Sequence, residues 1–247
     1  MLLENCRVVL VEPRIAANIG ATARVMLNFG VRALVLVNPA ADPADREARK
    51  LSTHGEEILD EARTVPDFGA AVADCILVVG MSARIGGPVR RQSVGFPEQI
   101  VPRIAETLAR GRVALVFGRE ANGLTDDEVT RCHYLINIPT NPEYPALNLA
   151  QAVAITLYEL HRLAAAPGDA VQSETPATFA AQERMFASLR AALEEIHFLY
   201  GPKADALMHG LRHLLGRAQP TDMEVDLLLG LARQIRWLVN KKNASDQ

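Results

Sequence analysis

Two short apolar runs, Val113–Phe117 and Leu135–Ile138, constrain this chain more than any other feature. Both have the pattern of buried strands, mainly apolar and bounded by turn residues. The first opens into Gly118-Arg119-Glu120-Ala121-Asn122-Gly123-Leu124, with glycines where a turn needs positive φ or close approach to a ligand. The second ends at Pro139 and passes through Asn141-Pro142 and Tyr144-Pro145 into a helix expected to begin near Leu147. Two such loops at adjacent strand ends predict a crevice for a small ligand.

The first 165 residues alternate strand and helix. Strands are expected at Arg7–Val11, Ala33–Val37 and Cys75–Val79 in addition to the two above. Helices are expected at Asn18–Phe29, Pro43–Leu51, Glu56–Glu61, Asp67–Ala73, Pro97–Ala109, Asp126–Cys132 (capped by Thr125) and Leu147–Leu160. Short apolar strands separated by helices predict an α/β domain over residues 1–163, a mainly parallel sheet with helices on both faces. Residues 164–178 are small, polar and proline-bearing, and read as a linker. Helical periodicity returns over 179–247 as a small all-α C-terminal domain, with Phe179–Tyr200, Asp205–Gly216 and a third helix opened by the capping box Thr221-Asp222-Met223-Glu224.

Composition excludes several classes. No run approaches the roughly 18 apolar residues of a membrane span, and the start MLLENCRVVL enters a strand without a signal-peptide pattern. Cys6, Cys75 and Cys132 fit no zinc spacing, so no metal is expected, and their odd number suits reduced thiols in a cytoplasm. The net charge of −3 gives no global attraction to phosphates. A nucleic-acid surface would have to be local, and Arg84, Arg90 and Arg91, in a loop free of acids, are the candidates. The GxGxxG and P-loop patterns are absent, which removes an ordinary dehydrogenase-like domain.

The stretch FGRE-x-x-GL followed by IP-x-NP-x-Y-x-x-LNLAQAV, preceded by LVEPRIAANIGATARVMLNFGV from Leu10 to Val31, resembles the three motifs of the SPOUT (SpoU/TrmH) RNA ribose methyltransferases, in order and spacing. The LNLAQAV ending and helical extension most resemble the TrmJ branch, which methylates the 2′-hydroxyl of nucleotide 32 in the tRNA anticodon loop. The resemblance implies a C-terminal trefoil knot, S-adenosylmethionine as methyl donor, tRNA as substrate and a homodimer with shared sites. The helix from Leu147, apolar on most faces, would be buried against the partner.

Carried onto this sequence, the resemblance assigns the donor pocket to Met81, Ser82, Ala83, Gly118, Ile138, Pro145, Ala146 and Leu147. Arg24, six residues after Asn18, matches the motif-one arginine. A guanidinium with pKa above about 12 is a poor base, so its implied role is to grip a phosphate and stabilise charge developing on the 2′-oxygen. Asn18, Glu120 and Asn148 match the remaining polar positions. The amides suit RNA or a loop carbonyl, while Glu120 is a candidate to orient Arg119 or an arginine across an interface.

One position departs from the pattern. Where relatives usually carry Ser-Ser before LNL, this chain has Pro145-Ala146, removing a hydroxyl and an N–H. Loss of one such hydrogen bond costs on the order of 1.5–3 kcal/mol in a transition state. Two other readings therefore stay open, the same chemistry on another tRNA or rRNA nucleotide and a non-catalytic RNA-binding module that keeps the fold.

Overall fold

The computed structural model describes residues 2–83, 94–164 and 175–245. After a single 3-10 turn at Leu2–Asn5, β1 (Cys6–Val11) leads through α1 (Ala16–Asn28) to β2 (Ala33–Val37). Then come α2 (Arg46–Ser52), α3 (Glu56–Asp60), β3 (Arg63–Val65), α4 (Phe68–Val72) and β4 (Leu77–Met81). The chain continues through β5 (Val94–Gly95), α5 (Pro97–Leu108), β6 (Val113–Phe117), α6 (Asp126–Thr130), β7 (Tyr134–Ile136) and α7 (Leu149–Ala164). Seven strands form one sheet in the order β3-β2-β1-β6-β4-β7-β5, and every pairing is parallel.

The sheet is covered on both faces, as expected. Alternate residues of β1 divide between two cores. Val8 and Leu10 join Ile19, Met26, Ile104, Val153 and Leu157 from α1, α5 and α7, whereas Val9 and Val11 join Phe68, Val72 and Val129 from α4 and α6. Burying each of these aliphatic chains contributes roughly 1.5–3 kcal/mol. Arg7 is the exception at the strand's start, where its guanidinium forms a two-pronged ion pair with Asp74 at 2.6 and 3.0 Å.

Several boundaries differ from the sequence reading. The strand expected at Cys75–Val79 runs from Leu77 to Met81 instead. The Cys75 N–H closes the α4 turn on the Val72 carbonyl, and Gly80 continues the pleat because its missing Cβ leaves room for Cys132, Leu124 and Leu135 at 2.9 Å. The helix expected from Leu147 begins at Leu149, since the Asn148 side chain is spent accepting the Ala150 N–H. The edge strands β3 and β5 have three and two residues, too few to show a period.

The C-terminal helices α8 (Phe179–Glu195), α9 (Ala204–Ala218) and α10 (Asp222–Ser245) enclose their own core around Met185, Phe186, Leu189, Met208, Val225 and Ala232. The helix expected to reach Tyr200 stops at Glu195, where His197 turns the chain with φ +57. Most of 164–178 lies outside the described residues, but Pro176 already bridges Thr221 and Ala177 is buried. Phe179 anchors this unit in the sheet's second core, against Phe68 and His133. The buried His133 imidazole accepts the Val78 N–H at Nδ1 (2.9 Å), so Nε2 carries the proton toward Gln182 Oε1 at 3.0 Å. Burial holds its pKa below the ordinary histidine value.

Candidate active site

The carboxyl ends of β4, β6 and β7 open into a cleft of about 310 Å³, at the low end of the range for small-ligand pockets. Met81, Ser82, Ala83, Gly118, Ile138, Pro145, Ala146 and Leu147 all line it, as do Phe117 and Ala121, Asn122, Gly123 and Leu124 of the crevice-forming loop, which were not assigned individually to the donor pocket. Its walls are mainly small or apolar. The loop after β6 is tight because Arg119 and Gly123 exchange backbone hydrogen bonds at 2.8 and 3.2 Å, with Gly123 at φ +68. A Cβ on Gly118 would lie 2.1 Å from the Gly123 carbonyl carbon. This glycine is required by the loop's own backbone, a more local reason than leaving room for a ligand.

On the far side, the Ser82 N–H donates to Ile136 O (3.0 Å) and its carbonyl accepts from the Asn137 amide (2.8 Å), tying the ends of β4 and β7 together. Asn137 is a positioning residue the sequence reading missed. Its signal was a polar residue inside an apolar run.

At the cleft's edge Asn18, Glu120 and Asn148 form a chain. Asn18 Nδ2 donates to Glu120 Oε1 at 3.0 Å, and Asn148 Nδ2 donates to Asn18 Oδ1 at 2.9 Å. Glu120 also accepts the N–H groups of Arg14 and Ile15, both at 3.2 Å, just before α1. A carboxylate there serves the unpaired donors and the positive end of the helix dipole. The sequence expectation that Glu120 orients Arg119 is corrected. Arg119 is gripped by Glu12 (2.7 and 2.9 Å) and Glu128 (2.9 and 3.0 Å), leaving Glu120 free for α1. Hydrogen bonding to Arg119 holds the Glu12 carboxyl below its ordinary pKa. Glu128 was legible as the third residue of the Thr125 capping box, which it completes through the Thr125 N–H.

Arg24 stands apart. It is exposed, reaches Thr53 Oγ1 at 3.4 Å and is not among the residues lining its own chain's cleft. Six residues beyond Asn18 on α1 places it about 9 Å along the axis and about 120° around from that side chain. Arg84, Arg90 and Arg91 lie outside the described residues. Among the described residues no group of three or more His, Cys, Asp or Glu could hold a metal, and no helix is long and apolar enough to cross a membrane. All three cysteines are buried, and burial pushes each thiol up to about 12.

Residues 5–158 match the SpoU rRNA methylase family, and residues 180–247 match the C-terminal domain of tRNA methyltransferase TrmJ. The tRNA (cytidine/uridine-2′-O-)-methyltransferase TrmJ of Photorhabdus laumondii is 36% identical over 244 residues, covering 96% of this chain and 99% of that protein. The protein of the same name from Yersinia enterocolitica is 38% identical over 243 residues, covering 95% and 92%. The crystal structure of TrmJ from Z. mobilis ZM4 superposes with a TM-score of 0.80 at 33% identity, over 93% of this chain and 98% of that one. With one family matched along the sheet domain and its TrmJ-type extension along the helices, the chain belongs to the SpoU methylase family, in its TrmJ branch, and is a methyltransferase.

Proposed function

We propose that this protein methylates the ribose 2′-hydroxyl of a tRNA nucleotide, nucleotide 32 of the anticodon loop, using S-adenosylmethionine held in the cleft. The reading rests on one observation above all. Eight positions drawn from three separated segments line a single cleft, and a hydrogen-bonded chain that links Glu120 and Asn148 through Asn18 of α1 closes its edge. The relatives named as tRNA 2′-O-methyltransferases supply the substrate class. The trefoil knot expected of the family belongs to the same proposal.

Bound there, S-adenosylmethionine supplies an electrophilic methyl group on a sulfonium sulfur. The chain's own residues bind and orient. Met81, Ile138 and Leu147 offer an apolar, water-excluding wall, while the fixed loops after β6 and β4 set its width. Asn18 and Asn148 hold α1 and α7 in register beside the cleft.

Arg24 is exposed and does not line this cleft; in this reading it acts at the partner's, in a homodimer. Its guanidinium fixes the phosphate next to the target ribose, leaving the 2′-oxygen in line and offsetting its developing charge. Ile155 and Tyr158 on α7 remain exposed on the surface such a partner would cover. Arg84, Arg90 and Arg91 remain proposed phosphate contacts. Ala146 specifically favours a second version, the same chemistry on another nucleotide, because it lacks the hydroxyl usual at this point.

Labelled methyl transfer tests the reading. With tRNA, the label is expected in an alkali-resistant dinucleotide, because a 2′-O-methyl group blocks cleavage of its own phosphodiester. Label recovered only in base-methylated mononucleotides, or no transfer to tRNA, would overturn it.

A further inference from the structure

The loop joining β7 to α7 carries an aromatic ring that the cleft does not use. Tyr144 is 79% exposed and immediately precedes the cleft-lining Pro145 and Ala146, yet it is not itself among the lining residues. Exposed aromatics are usually mobile surface side chains, but the backbone beneath this one is fixed. Asn141 accepts the Glu143 N–H on Oδ1 and the Tyr144 N–H on its carbonyl, both at 3.0 Å, forming an Asx turn. The Thr140 hydroxyl donates to the Pro145 carbonyl at 3.1 Å, closing the loop on itself. Pro142 and Pro145 restrict φ on either side. Tyr144 thus stands on a stiff support with only two side-chain torsions to lose on binding.

The surroundings narrow what it can bind. Asn141, Pro142 and Glu143 are exposed polar or turn residues, so the ring is isolated. The centre of a protein interface is a packed cluster of several apolar side chains, which a lone ring does not supply. A single rigid ring suits a flat, amphipathic partner, and an unpaired nucleobase is one. We propose that Tyr144 is a stacking platform for a nucleobase of the tRNA loop, at or beside the nucleotide whose ribose enters the cleft. The inference rests on the tRNA reading above. Stacking is tolerant of base identity, since every base has a π face. Tyr144 would therefore fix where the ribose is presented without choosing between cytidine and uridine.

The test uses the full-length protein with tRNA and S-adenosylmethionine. Tyr144→Ala should lower kcat/KM for tRNA roughly tenfold or more, the effect of losing one stacked base. Tyr144→Phe and Tyr144→Trp should stay within about threefold of wild type, because they keep the ring. Affinity for S-adenosylmethionine by calorimetry and sedimentation should not change in any of the three. In a Trp237→Phe background, the fluorescence of the Tyr144→Trp variant should be quenched by tRNA. Equal loss in the alanine and phenylalanine variants would assign the effect to the hydroxyl and overturn the proposal. So would weakened donor binding, altered sedimentation, or wild-type activity in Tyr144→Ala. If wild type transfers no methyl to tRNA, the parent reading fails; undiminished transfer by Tyr144→Ala overturns the stacking alone.

Discussion

Asn148 donates its side-chain amide to the Asn18 carbonyl oxygen at 2.9 Å, across 130 residues of sequence. The polarity of this bond is dictated from one end. Glu120 is an acceptor only, so Asn18 must present its NH2 there and turn its oxygen to Asn148. Asn148 must then give its own NH2, leaving its oxygen to accept the Ala150 N–H at 2.9 Å and cap α7. One carboxylate thereby orients two amides and two helix starts.

Asn18→Ala should destabilise the fold by on the order of 1–3 kcal/mol, since it leaves Asn148 and Glu120 each one partner short in a part-buried site. Asn18→Asp should cost more at neutral pH, because it faces Glu120 with a second carboxylate. Acidification should recover part of that excess, as one carboxyl takes a proton. Urea unfolding of both variants at neutral and mildly acidic pH checks the order. Equal stability of the two at neutral pH would remove Glu120 from the control of this chain.

Arg24→Ala should reduce methyl transfer at least a hundredfold while S-adenosylmethionine affinity stays near wild type, because the guanidinium does not line its own cleft. Ile138→Arg should abolish donor binding by filling the cleft with a cation. Mixed subunits of the two variants should regain activity, one working site per heterodimer. A monomer with full activity would contradict the sharing, and inactive mixed dimers would too.

Ala146→Ser restores the hydroxyl usual in relatives at a cleft-lining position. The rate of methyl transfer should rise, by roughly tenfold to a hundredfold for one hydrogen bond of about 1.5–3 kcal/mol. Single-turnover kinetics separates this from binding. An unchanged or lower rate would mean that a neighbouring group already serves that position.

Acid should weaken the protein in two stages. Hydrogen bonding by Arg7 and Arg112 holds the Asp74 carboxyl far below the usual carboxylate range, and burial lowers the His133 pKa. Both shifts mean that the unfolded chain takes up protons first, so stability falls as pH falls. His133 contributes below about 6.5, Asp74 below about 4. Thermal unfolding from pH 7.5 to 3 should show both limbs, and Asp74→Asn should flatten the lower one. A Tm independent of pH between 7 and 5 would contradict the docking of α8 on a neutral His133.

The central strands and the cleft were legible because their residues speak locally. β6 is five consecutive buried apolar residues, and the loops around Gly118 and Asn141 carry their own turn chemistry. What was illegible is decided by residues distant in sequence. Glu12 and Glu128 take Arg119, which releases Glu120 to α1, and no spacing within FGRE announces that exchange. The strand expected to end at Val79 runs on through Gly80, whose missing Cβ leaves space that Cys132, Leu124 and Leu135 need. The short edge strand β3 is held by pairing with β2 and has no pattern of its own.

Mapping methylated riboses in tRNA transcripts after reaction with S-adenosylmethionine tests the central claim most directly. Wild-type protein is expected to place a single 2′-O-methyl group on nucleotide 32 and none on an otherwise identical transcript carrying 2′-deoxyribose there. Methylation that persists on the deoxy transcript, falls on a base, or appears only at another ribose would contradict the assignment.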